Sequence, residues 1–239
     1  MTDISYMERS VLKLKFSEIA KFRLFCFWLI MPVMMASSTG CSLFVMAGKT
    51  LMGDPVLKCD FRQATNINLI RQHKTVLVIC DTPDTIKTDF PSLHLDLVDG
   101  ISQKLKRQDI KIISPGKVAS WLDDNGGYWN DPSELAEEFD TDIIIHLDLS
   151  HFDYREENSH NLLRGRVTAN VLVYEVNKET EVKQTLQIFA REYVSEYPSF
   201  SPVSVDRKSE NIFKEEYLDH VCSQISQLFY DHRSLDKLF

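Results

Sequence analysis

Two long runs of alternating hydrophobicity most constrain this chain. Arg166–Val176 (RVTANVLVYEV) and Val182–Val194 (VKQTLQIFAREYV) each alternate, and the charged stretch Asn177–Glu181 separates them. Side chains of a strand point in turn to opposite faces, so a period of two predicts strands with one buried face. Joined by a short polar turn, the two runs predict an antiparallel hairpin. A hairpin alone is marginal in water, so the rest of the chain must cover it.

The upstream residues supply that cover. Thr75–Cys80 (TVLVIC) is a short β-branched run and predicts a buried strand. Asp81–Pro91, with two Pro and three Asp, reads as a loop. Leu93, Leu97, Val98, Ile101 and Leu105 recur at helical spacing, with Ser92 as N-cap. A second strand is expected at Ile110–Ile113. Pro115 then sits at the first position of a helix that runs to about Asp123. After the loop at 125–132, Asp131, Ser133 and Glu134 have the spacing that opens a helix to Phe139. Asp142–Leu149 (DIIIHLDL) is a third strand. Beyond the hairpin, Tyr197–Asp206 is a connector, and Ile212, Phe213, Tyr217, Val221, Ile225, Leu228 and Phe229 trace one face of a terminal helix. This order predicts an α/β domain over 74–239. It has a single mixed β-sheet, parallel in its first half and an antiparallel hairpin in its second, with helices packed on it and a long C-terminal helix.

The N-terminus obeys different rules. Residues 24–36 (LFCFWLIMPVMMA) are apolar and uncharged, and Lys13, Lys15, Lys21 and Arg23 precede them. The run has 13 residues, against about 20 for a spanning helix. Ser37, Ser38, Thr39 and Gly40 then lead to Cys41. A basic stretch, a short apolar stretch and small residues describe a secretory signal over 1–40. A signal-anchor helix continuing through Leu43 to Met46 is the competing reading. The ending resembles the lipobox of bacterial lipoproteins, with Ser38 standing where Leu is usual. That resemblance implies cleavage between Gly40 and Cys41, lipidation of Cys41 and a lipidated tether over 41–73. It also implies an anchor in a membrane facing the periplasm. Ser42, where an Asp would favour retention at the inner membrane, favours the outer one. Multiple acyl chains make such an anchor firm, since each buried CH₂ contributes about 0.8 kcal/mol.

Net charge is −8 for the whole chain. Without residues 1–40 it carries 22 basic and 32 acidic residues. That balance argues against a general nucleic-acid binder, because phosphate binding needs a basic footprint, and leaves a local site open. Cys59, Cys80 and Cys222 remain in the mature chain, widely spaced and without a CxxC, so no metal framework is visible and at most one disulfide can form. No cofactor motif is present. The GKT at Gly48–Thr50 lacks the Gly of a P-loop, since Leu43 occupies that position.

The element order resembles an envelope-lipoprotein domain, that of the TolB N-terminal domain and of the CsgG, PelC and LpoB lipoproteins. The phrase that carries it is Glu134-Leu135-Ala136 followed by Asp142-Ile143-Ile144-Ile145. Met52-Gly53-Asp54-Pro55, Val118–Asn125, Leu163–Arg166, Tyr197-Pro198 and Phe229-Tyr230 are similar to uncharacterised planctomycete lipoproteins. The resemblance implies location and fold and supplies no activity.

Three candidate sites follow from the residues. Trp121, Tyr128 and Trp129 flank Asn125-Gly126-Gly127 and form a candidate partner or ligand surface, or else fold back onto the core. Tyr193, Tyr197 and Phe200 form a second such group. The carboxylates Asp81, Asp84, Asp89, Asp96 and Asp99 crowd the end of the first strand. They read as a solvated face, with a divalent-metal or acid/base site as the sharper alternative. His146, Asp148 and Ser150 share one face of the third strand but lie about 7 Å apart in succession, too far for a relay. Three functions are therefore weighed. The first is a non-enzymatic envelope lipoprotein acting in assembly, secretion or maintenance through an envelope protein partner. The second is a tethered binding module for a glycan or small ligand. The third is a hydrolase using loop carboxylates.

Overall fold

The computed structural model describes residues 56–179 and 183–233; the signal segment, Gly40 and Cys41 lie outside them. The elements run β1 (Val56–Leu57), α1 (Asp60–Thr65), β2 (Thr75–Asp81), α2 (Asp84–Asp89), α3 (Leu93–Lys106), β3 (Lys111–Ile112), α4 (Pro115–Asp124), α5 (Pro132–Glu138) and β4 (Ile143–Arg155). They continue β5 (Leu162–Asn177), β6 (Gln184–Tyr197), β7 (Val203–Ser204), α6 (Glu210–Ser226) and β8 (His232–Arg233).

The main sheet has the order β3-β2-β4-β5-β6, with β7 added beside β5. β2 pairs parallel with β3 and β4. β4, β5 and β6 pair antiparallel. This is the mixed α/β sheet the patterning predicts. The antiparallel half is larger than a hairpin, because β4 extends past Leu149 to Arg155 and makes a three-stranded meander. A register shift between Leu149 and His151 slips the alternation by one and hides that extension in the sequence.

Two apolar layers sandwich the parallel half. Val76, Val78, Ile143 and Ile145 belong to one cluster with the buried stripes of α3 and α6. Leu77, Ile79 and Ile144 belong to the other, with Val118 of α4 and Leu135 of α5. Each fully buried branched side chain contributes about 1.5–3 kcal/mol. Asp142 stitches the start of the sheet: its carboxylate accepts from the Thr75 N–H at 2.7 Å and pairs with Lys178 at 2.9 Å. Burial opposes its ionisation, but these partners hold it below the usual carboxylate range.

The folded domain begins at Val56 rather than near Lys74. Residues 56–73, expected as tether, carry α1, whose Phe61 is fully buried against Phe189 and Phe229. β1 pairs with β8, and Asp231 accepts from the Cys59 N–H at 3.1 Å and pairs with Arg62. Both ends of the domain are thus fastened together. The expected loop 81–91 holds the short helix α2, anchored by buried Ile86. Ser92 precedes α3 without a capping bond to the backbone; its hydroxyl meets Asp96 instead. Asp131 caps α5 as expected, accepting from the Ser133 N–H at 2.7 Å. In the terminal helix Ile212 is exposed, and the rest of the stripe is buried or half-buried. Among the described residues no helix is long and apolar enough to cross a membrane.

Candidate functional site

Open α/β sheets place ligands at the carboxyl ends of their parallel strands, where strand order reverses. Here that point lies between β2, which continues to β3 on one side, and β4 on the other. Asp81 ends β2, and His146 of β4 lies beside it on the same face. His146 Nε2 and Asp81 Oδ2 are 3.0 Å apart. Trp129 Nε1 donates to Asp81 Oδ1 at 3.1 Å, and its ring stands edge-on to the imidazole with centroids 4.8 Å apart. Burial raises the Asp81 carboxyl, but the bonds from His146 and Trp129 outweigh it and leave the carboxyl below its ordinary value. Nδ1 of His146 is enclosed and makes no hydrogen bond. The nitrogen that a relay would turn toward a nucleophile is therefore shut in. Together the three side chains form a polar clamp that joins the Trp129 loop to the sheet.

The three aromatics of that loop part company. Trp121 packs edge-on against Phe139 at 6.2 Å, and Trp129 closes over His146. Only Tyr128 stands out, at 75% exposure. Gly126 and Gly127 take φ of 74° and 81°, a region that glycine enters without strain. The turn they make sends Tyr128 outward. In the second group Tyr193 donates to Gln224 at 2.7 Å, and Tyr197 packs among Phe213, Tyr217 and His220. Phe200 is 99% exposed.

The acidic group disperses: Asp84, Asp89, Asp96 and Asp99 are exposed on α2 and α3, and only Asp81 joins the clamp. Among the described residues no three His, Cys, Asp or Glu side chains could hold a metal ion. Cys59, Cys80 and Cys222 are buried free thiols. Arg164 pairs with Glu156 and Glu196, and Arg166 pairs with Glu156. A cavity of about 230 Å³ opens between α3 and α4 against the C-terminal half of β2, apolar except for His94 and Asp99.

Spacing along the third strand sets His146 beside Asp148, whereas the fold sets it against Asp81, one of the carboxylates weighed for the hydrolase reading. The signal for that pairing is the parallel register, which sets Ile79 opposite His146 and Asp81 opposite Asp148.

No protein-family model matches the chain, and no curated protein matches it. Among solved structures it is similar to the lipoprotein GNA1162 from Neisseria meningitidis, at 12% identity and a TM-score of 0.38, over 64% of this chain and 98% of that one. It is also similar to the hypothetical protein CT253 from Chlamydia trachomatis, at 12% identity and a TM-score of 0.35, over 65% and 97%. A minor lipoprotein from Acinetobacter baumannii is similar at 14% identity and a TM-score of 0.27, over 67% and 97%. At these scores no residue takes its role from a neighbour.

Proposed function

We propose that the protein is a lipoprotein of the cell envelope, held by acyl chains on Cys41 at a membrane facing the periplasm, with the outer membrane favoured. Its role is non-enzymatic, in assembly, secretion or maintenance, and works through contacts with an envelope protein. The observation that carries this reading is the position of Phe200. The domain is fastened at β1 and β8, beside the C-terminal end of α6, where the Phe61 N–H bonds Leu228 O at 3.0 Å. Phe200 follows Tyr197, which packs on the first half of α6. A helix of 17 residues spans about 25 Å. Fourteen residues, 42–55, join Cys41 to β1. Within the domain Phe200 thus lies toward the end of α6 away from β1 and β8, a fully exposed aromatic ring that a partner can reach. Large aromatic side chains are the residues on which protein interfaces concentrate their binding energy. The enclosed Nδ1 of His146 supports a structural role for the polar clamp.

Two arms test the proposal. Globomycin or Cys41→Ser should alter processing and release the protein from the membrane fraction; unchanged processing and fractionation overturn the location. Crosslinking in intact cells should return a defined envelope complex that Phe200→Ser abolishes. A complex indifferent to that change, or none, overturns the contact.

A further inference from the structure

Four elements converge on a cleft of about 410 Å³: the outer strand β6, one flank of α6, Asp60 of α1 and His232 of β8. That volume falls within the roughly 300–1,000 Å³ of small-molecule sites. The cleft is distinct from the clamp, which lies between β2 and β4.

Its hydrogen-bonding groups decide what it can hold. Gln224 Oε1 accepts from the Tyr193 hydroxyl at 2.7 Å and from the Ser195 hydroxyl at 3.0 Å. With its oxygen occupied, the side-chain amide keeps two N–H donors. Arg191 Nη1 pairs with Asp60 at 2.8 Å, which leaves further guanidinium N–H groups. Burial lowers the pKa of His220, which packs at a tilt against Tyr197 with centroids 4.6 Å apart. A neutral imidazole carries one donor and one acceptor. Ser223 adds a hydroxyl that can do either.

Charge narrows the class. Arg191 is balanced by Asp60. A phosphate or carboxylate would have to displace the Asp60 carboxylate to reach the guanidinium. Leu228 and the Tyr193 ring add apolar surface to the same cleft. Donors and acceptors interleaved around a small apolar patch match a ligand whose hydroxyls donate and accept and whose C–H face packs on hydrocarbon. We infer that this cleft binds a neutral saccharide. The inference does not rest on the anchor or on Phe200.

The full chain in phospholipid nanodiscs, free of glycoside detergent, is titrated calorimetrically with chitotriose, maltotriose and cellotriose, and screened on an array of neutral and anionic glycans. Saturable binding to a neutral oligosaccharide is expected. Arg191→Ala should weaken it about tenfold, the loss of one charge-assisted hydrogen bond. Ser223→Trp, which fills the cleft, should abolish it, and Tyr128→Ala should leave it unchanged. If Ser223→Trp does not fold by circular dichroism, Arg191→Ala at the exposed rim carries the test. No saturable binding to any neutral glycan overturns the inference. So do preferential binding of inorganic phosphate or anionic glycans, and binding that Arg191→Ala leaves intact.

Discussion

The His146 imidazole meets the Asp81 carboxylate at 3.0 Å across the parallel pair β2–β4, and the Trp129 indole N–H takes the carboxylate's other oxygen at 3.1 Å. Asp81 is about half exposed, so solvent screens much of the benefit. Because its folded-state pKa is lowered, its stabilising contribution is present above the unfolded value of about 3.9 and is lost as pH falls through the folded value. Asp81→Asn should therefore cost about 1 kcal/mol at neutral pH, and the difference should close in strong acid. Urea unfolding of both proteins across that pH range checks it; a gap that stays constant into acid contradicts the assignment.

Gly165 of β5 lies directly under the Tyr217 ring of α6. A methyl group there would meet ring carbons at 2.5 Å, and Tyr217 is fully buried. Gly165→Ala should cost about 1–3 kcal/mol through overpacking, and Tyr217→Leu should relieve much of that cost in the double variant. The Tyr217 hydroxyl is buried without a hydrogen bond. Tyr217→Phe removes a polar atom that has lost its water, so stability should hold or rise by about 1 kcal/mol. A loss of stability in Tyr217→Phe would show that the hydroxyl has a partner.

Burial pushes the Cys59 thiol up to about 11 and the Cys222 thiol up to about 12, and raises Cys80 further still. The thiolate is the reactive form, so all three should resist alkylation in the folded protein even in mild alkali. Iodoacetamide labelling followed by peptide mass analysis should modify them only after denaturation. Labelling of Cys80 in the native state, or a disulfide between any two of the three, would contradict this packing.

Much of this fold can be read in the residues, and the gaps have physical causes. β2 and β4 declare themselves because Thr75–Cys80 and Ile143–Leu149 concentrate β-branched and apolar side chains. α3 shows its period because 14 residues give nearly four turns. α1 and α2 have six residues each and bury one apolar side chain apiece, Phe61 and Ile86. A single buried residue has no period to detect. The clamp joins residues 65 apart in sequence, and only the strand register brings them together. Spacing singled out Trp129 and Phe200, but local pattern does not show which aromatic turns inward. That depends on Asp81 offering an acceptor to one of them and on nothing covering the other.

Phe200 gives the sharpest separation of stability from function. Its side chain is 99% exposed, so Phe200→Ser removes almost no buried area and should change folding stability by less than about 0.5 kcal/mol. Trp129→Ser, by contrast, strips the indole from His146 and Asp81 and should cost about 3 kcal/mol or more, because a large, mostly buried ring is lost. If Phe200 is the contact, the first variant keeps its melting temperature and loses its crosslinked complex. The second loses stability first, and any loss of complex should follow the fraction unfolded. Thermal melts and crosslinking yields measured on the same preparations distinguish the two. A Phe200→Ser protein that melts well below the parent would mean the ring is packed in solution, and its exposure could not then mark a docking point.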